Sequence, residues 1–259
     1  MSTRFSLLPV FAALLLATPL AAQGLEPQLA TLGTATRING AAIADPLFVR
    51  AVYAANGGKL LWTDPARFAS LQKAIADSVR DGLTPADYHA AALANFKGSV
   101  GERDLLATDA LVLLVDHLRH GKVHPQTYDP QWNFGQNGHR PGTPPTQPEI
   151  DRVMATINAP DVAAAIAAVA PTHPVYTQVR AELARYQALA ARGGWPDVAA
   201  GPTIKFGERS DRVAAVAVRL AATGDLPASA VRPDPTLYDE PLKVAVMRFQ
   251  TRMGLTADG

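Results

Sequence analysis

The chain has 259 residues, 24 Lys and Arg against 23 Asp and Glu, 48% hydrophobic content and no cysteine. A near-neutral balance argues against a nucleic-acid binder, which calls for a basic surface. The missing thiol rules out disulfide staples and thiol-based nucleophilic catalysis within these residues, while the length allows one large or two small domains with a sizeable core.

The first 22 residues read as a leader. Arg4 is the single early cation, an apolar run follows from Phe5 to Ala17 with Pro9 inside it, and small residues close it at Leu20-Ala21-Ala22. This is the pattern of a cleavable secretory signal peptide. The run is shorter than the roughly 20 residues that span a bilayer, which disfavours the alternative of an uncleaved anchor. Without Arg4, 23 basic and 23 acidic residues remain. No later segment is apolar enough to cross a membrane, so the expected product is exported to the periplasm and has no membrane span.

Helix signals then follow one another. Asp45-Pro46 is an N-cap with proline at the first helical position, opening a helix through Val52 and Tyr53 that Gly57-Gly58 ends. Asp64-Pro65 repeats the device, with Phe68, Leu71, Ile75 and Val79 on one face and Gly82 at the left-handed cap position. Thr84-Pro85 opens a helix holding Asp87, Tyr88 and Leu93. From about Glu102 to His120 the chain is nearly apolar all round, which predicts the central buried helix. Gly121 stops it.

The stretch from Asp129 to Pro148 is rich in Pro, Gly, Asn and Gln and has no period, so it reads as a long irregular connection. Helices resume near Glu149–Asn158, Asp161–Val169 and Pro174–Arg192. The last has Val175, Val179, Leu183, Tyr186 and Leu189 as its stripe and Gly193-Gly194 as its cap. Thr203–Phe206 is the one short strand candidate. A new unit begins at Gly207. Ser210 or Asp211 caps a helix with Val213, Val216, Val218 and Leu220, closed by Gly224, and a proline-bearing loop leads to a helix after Tyr238. No internal repeat stands out.

Four segments, taken together, carry a family resemblance. They are Leu61-Trp62-Thr63-Asp64 with Asp81–His89; Thr108–Leu111 with His120–Pro125 and Asp129–Phe134; Pro171–Pro174 with Tyr176, Tyr186 and Gly193-Gly194-Trp195-Pro196; and Gly207–Val213 with Arg219-Leu220 and Gly224–Leu226. In this order and spacing they resemble the N-terminal scaffold of the large YcbB-type murein L,D-transpeptidases. The tail Ala245-Val246-x-x-Phe249-Gln250, Gly254-Leu255, Asp258-Gly259 resembles the core of a peptidoglycan-binding domain. In that family a short loop and a closing helix follow the Asp-Gly, so the domain is expected to be C-terminally incomplete here.

The resemblance implies a mostly α protein: a helical scaffold domain over about residues 25–200 and a small, truncated three-helix peptidoglycan-binding-like domain over 203–259. In the family a YkuD-type catalytic domain follows both. Its cysteine forms a thioester with a murein stem peptide, and an amine of a neighbouring stem resolves it into a cross-link. This chain has no cysteine and no Ser-x-Gly-Cys stretch, so no catalytic residue carries over and no cofactor is expected. The implied partners are murein and the missing catalytic domain. If murein is bound, Arg248, Gln250, Arg252 and Lys243 are the candidate polar contacts, with Arg252 or Lys243 suited to stem carboxylates through charge-assisted hydrogen bonds. Trp62, Asp64, Trp132, Gly194, Trp195, Val246, Phe249 and Gly254 are motif positions with structural roles. The alternative is a stand-alone periplasmic adaptor that binds peptidoglycan. The gene beyond Gly259 separates the two.

Other constellations carry blander readings. His117 and His120 share a helix face, but Gly121 ends the helix before His124, so the three histidines, with Asp116, read as a helix C-terminus rather than a metal site. Trp62, the Trp132-Asn133-Phe134 segment and Trp195 invite sugar stacking, yet such residues more often anchor loops on helices. Asp109 and Asp116 invite acid–base chemistry, but glycosidase work needs a set carboxyl separation across a cleft. A solvated or capping role is the expectation. Loss of a closing helix predicts incomplete cover for Val246, Phe249 and Leu255, and local fraying.

Overall fold

The computed structural model describes residues 25–33, 35–132, 138–227, 229–230 and 232–259. The leader at 1–22 and the pair Asn133-Phe134 lie outside the described residues. The fold is mostly helical, with ten α-helices and two two-residue strands among the described residues. The chain divides into two compact units, one ending at Thr172 and one spanning His173–Gly259.

The first unit opens with α1 (Glu26–Thr31) and a hairpin, β1 (Arg37–Ile38) and β2 (Ala41–Ala42). The pair is antiparallel, with Ile38 opposite Ala41. Asn39 and Gly40 both have positive φ, the requirement of the tight two-residue hairpin turn. Next come α2 (Pro46–Ala55) and α3 (Pro65–Asp77), each with proline in its first turn and an Asp cap. Asp45 accepts from the Phe48 N–H at 3.1 Å and Asp64 from the Ala66 N–H at 2.9 Å. The chain tightens into a 3₁₀ turn after Asp77, which leaves Val79 41% exposed instead of on the buried stripe. The helix expected after Thr84 is broken. A 3₁₀ turn, Pro85–Tyr88, ends at His89 in the left-handed conformation, and α4 (Ala90–Ala94) follows.

The centre of this unit is α5 (Val100–His120). Ser99 and Glu102 form a capping box. The Glu102 N–H donates to Ser99 Oγ at 3.2 Å, and the Ser99 N–H donates to Glu102 Oε2 at 2.8 Å. Leu105, Leu106, Leu111 and Leu114 are buried, and α2, α3, α4 and α6 (Gln147–Ile157) pack around them. Helix α7 (Val162–Ala167) lies against α3, where Ser70 Oγ accepts from the Ala163 N–H and donates to Asp161.

The second unit contains α8 (Pro174–Ala191), α9 (Arg212–Thr223) and α10 (Glu240–Arg252). Its core is built from Val213, Ala217, Leu220, Leu226, Tyr238, Leu242 and Ala245, with Ile204, Val216, Val246 and Phe249 packed on it. The stripe expected on α8 buries only Leu189, and Val175 and Val179 stand exposed. Val218 of α9 is also exposed. No strand forms at Thr203–Phe206; among the described residues of this unit the pairing is an isolated bridge between Arg209 and Leu237. Gly254 has φ 69°, the left-handed position that ends α10.

Candidate functional site

The four residues proposed to meet murein fall on two faces of α10, because helical periodicity separates them. Lys243 and Gln250 are seven apart and share one face. The Lys243 ammonium sits 5.0 Å over the Phe206 ring. Gln250 donates to Asp258 at 2.8 Å, and its Oε1 accepts from the Gly259 N–H at 2.9 Å. Gln250 also lines a groove of ≈ 500 Å³ between α9 and α10, floored by Ile204, Val213, Val216 and Val246 and rimmed by Arg212 and Asp258.

Arg248 and Arg252 occupy the other face. Arg252 makes a two-point ion pair with Asp225, at 3.1 and 2.6 Å, and also donates to the Tyr186 hydroxyl at 3.2 Å. Burial works against ionisation of Asp225, but the bonds from Arg252 and Thr223 outweigh it and hold its pKa below the usual value. The donors of Arg252 are therefore committed inside the unit. Arg248 is exposed and makes one long bond, 3.4 Å, to the Asp225 carbonyl.

The three tryptophans separate as clearly. Trp62 is buried in the first unit, where its Nε1–H donates to Thr108 at 3.0 Å, so no sugar can stack on it. Trp195 is covered by the Arg219 guanidinium, 3.4 Å from its ring, and meets Tyr186 edge-on. Trp132 is 40% exposed and Tyr128, four residues earlier, is 80% exposed.

Three acidic residues on α5 have roles that the sequence did not reveal. Asp104 accepts from the backbone N–H of Leu61 and Trp62 and from the Tyr53 hydroxyl. Burial raises its pKa against those donors, and burial also pushes the Tyr53 hydroxyl well up. Asp109 is buried instead of solvated; it accepts from the Ala44 and Asp45 N–H groups and pairs with His89 at 2.7 Å. Asp116 binds His120 at 2.7 Å and accepts from the His139 N–H at 3.0 Å. His117 instead meets the Tyr88 hydroxyl at 3.0 Å. The available signal was a set of short polar residues inside an otherwise apolar helix, which demands partners. Among the described residues, no group of three or more His, Asp or Glu is placed to hold a metal, and no helix is long and apolar enough to cross a membrane.

A scaffold-domain family model matches residues 48–183, more than half of the chain. The chain belongs to that family, whose domain forms the N-terminal part of L,D-transpeptidases. A search of curated proteins gives no match.

Proposed function

We propose that this chain is the non-catalytic N-terminal part of an exported, YcbB-type L,D-transpeptidase, and that it positions murein for cross-linking in the periplasm. The scaffold-domain match over residues 48–183 carries the reading. The α10 motif supports a peptidoglycan-binding-like second domain, and the early apolar run supports export. In this reading the reactive sulfur belongs to a separate catalytic domain, because the sequence contains no cysteine. The chain binds and places its substrate.

The groove face of α10 is the better murein contact. Gln250 borders open, partly apolar space and Lys243 lies on the same helix face over Phe206, whereas Arg252 is held by Asp225. Co-sedimentation of residues 25–259 with purified murein sacculi tests this. The chain should pellet with the sacculi. Lys243→Ala with Gln250→Ala should weaken pelleting about tenfold, the equivalent of one lost charge-assisted hydrogen bond. A chain that stays in the supernatant at every sacculus concentration would contradict murein binding.

A further inference from the structure

The connection between α5 and α6 looks structureless in sequence, yet one of its residues is among the most enclosed polar groups in the first unit. His139 is 6% exposed. Its Nε2 lies 2.5 Å from Oδ2 of Asp45, the N-cap of α2, and its Nδ1 lies 3.8 Å from Oε1 of Glu149 in the capping box of α6. Its backbone N–H donates to Asp116 of α5, and its ring meets Phe48 edge-on at 4.8 Å. One residue thus ties three helices together, its ring meeting the α2 end and α6 and its backbone N–H reaching α5.

We propose that His139 is a pH-operated latch. Its imidazolium holds the Gly138–Thr146 connection against the α2 end and α6, and loss of the ring proton releases that connection on the Glu149 side.

The chemistry lies in the two ring nitrogens. Only the charged ring donates from both. The neutral ring can keep its Nε2–H on Asp45, but its Nδ1 lone pair then faces the Glu149 carboxylate, and attraction turns into repulsion. The surrounding charges sharpen the change. Asp45 comes from the α2 end, Asp116, Arg119 and His120 from α5, and Glu149 and Arg152 from α6. Three carboxylates, Asp45, Asp116 and Glu149, converge on the His139 ring, so loss of its proton leaves the cluster one charge more negative. Burial opposes the charged ring, but the Asp45 hydrogen bond and the charges of Asp45, Glu149 and Asp116 outweigh it, and the pKa lies above the usual histidine value. The latch therefore contributes fully below about pH 6.5, the free-histidine value, and is lost as pH rises through the higher folded value.

Amide exchange on residues 25–259, corrected for its intrinsic pH dependence, tests the latch at two bonded amides. The Thr146 N–H donates to Glu149 Oε2 at 2.6 Å, and the His139 N–H donates to Asp116. Protection of the Thr146 amide, measured against Leu111 in α5, should fall about tenfold between pH 6 and pH 9, with the midpoint of the His139 ring titration by NMR, while the His139 amide on the Asp116 side changes less. His139→Gln should abolish the step. Should that variant fail to fold, Glu149→Gln serves instead, because glutamine also completes a capping box. It should lower the ring's midpoint and shrink the step at least threefold. Equal protection at both pH values in the wild-type chain, or a full step in Glu149→Gln, would overturn the latch.

Discussion

At the scale of single residues, the molecule spends its buried polar groups on fastening loops to α5. Asp104 illustrates this. Its carboxylate collects the Leu61 and Trp62 amides at 2.8–3.2 Å and the Tyr53 hydroxyl at 3.0 Å, and Tyr53 in turn meets Thr108 at 2.9 Å. Replacing Asp104 with alanine strands three donors in a dry interior, so unfolding in urea should show a loss of about 3–5 kcal/mol. Trp62→Phe removes the bond to Thr108 and a smaller share of packing, and should cost about 2 kcal/mol. Equal losses in the two variants would show that packing, not the polar network, holds the 61–64 segment. Trp62 and Asp64 were legible in the sequence as anchors, because an aromatic residue beside an Asp-Pro cap has few other uses. Their receptor was not legible. Asp104 lies 42 residues from Trp62, and nothing local distinguishes a carboxylate that accepts backbone donors from one that faces water.

At the scale of elements, helix starts were readable and long-range tethers were not. Asp45-Pro46 and Asp64-Pro65 satisfy their own first turns, so their chemistry is local; the Ser99–Glu102 box is equally local, yet that helix was read as starting at about Glu102. The hairpin turn Asn39-Gly40 had the same local signature, yet the sequence reading began its elements at Asp45 and missed it. The connection after α5 depends on His139 reaching Asp45 across 94 positions, which no periodicity encodes. Helix α10 offers a test of which polar residues serve the fold. Arg252→Ala breaks the pair with Asp225 and the bond to Tyr186, and should destabilise the second unit by about 1–2 kcal/mol, the size for a partly exposed charged bond. Its loss of murein binding should be less than threefold once folding is restored by lower temperature. Lys243→Ala should show the reverse: near-normal unfolding with weaker binding. If Arg252→Ala loses binding at unchanged stability, the two faces of α10 have been assigned the wrong way round.

At the scale of the whole molecule, the two cores differ in size and in how completely they are covered. The first is drawn entirely from residues between Leu25 and Val169, with Trp62, Tyr53 and Tyr88 fully enclosed. The second has seven buried side chains among the described residues, and Phe249 and Val246 are only partly covered. Leu255 is 58% exposed and Met253 55% exposed just beyond α10. Buried apolar area supplies most of the favourable free energy of folding, and small units retain little margin over their conformational entropy. Residues 25–172 produced alone should therefore melt cooperatively and keep their helicity, because every side chain of the larger core travels with the fragment. Within the full chain, amides at 238–255 should exchange at least a hundredfold faster than those at 105–118, where the helix is enclosed on nearly every side. Comparable protection in the two segments would mean that the α9–α10 core carries more stability than its buried residues account for, and the groove beside Val246 would then have to be read as a rigid cleft rather than as an incompletely covered helix face.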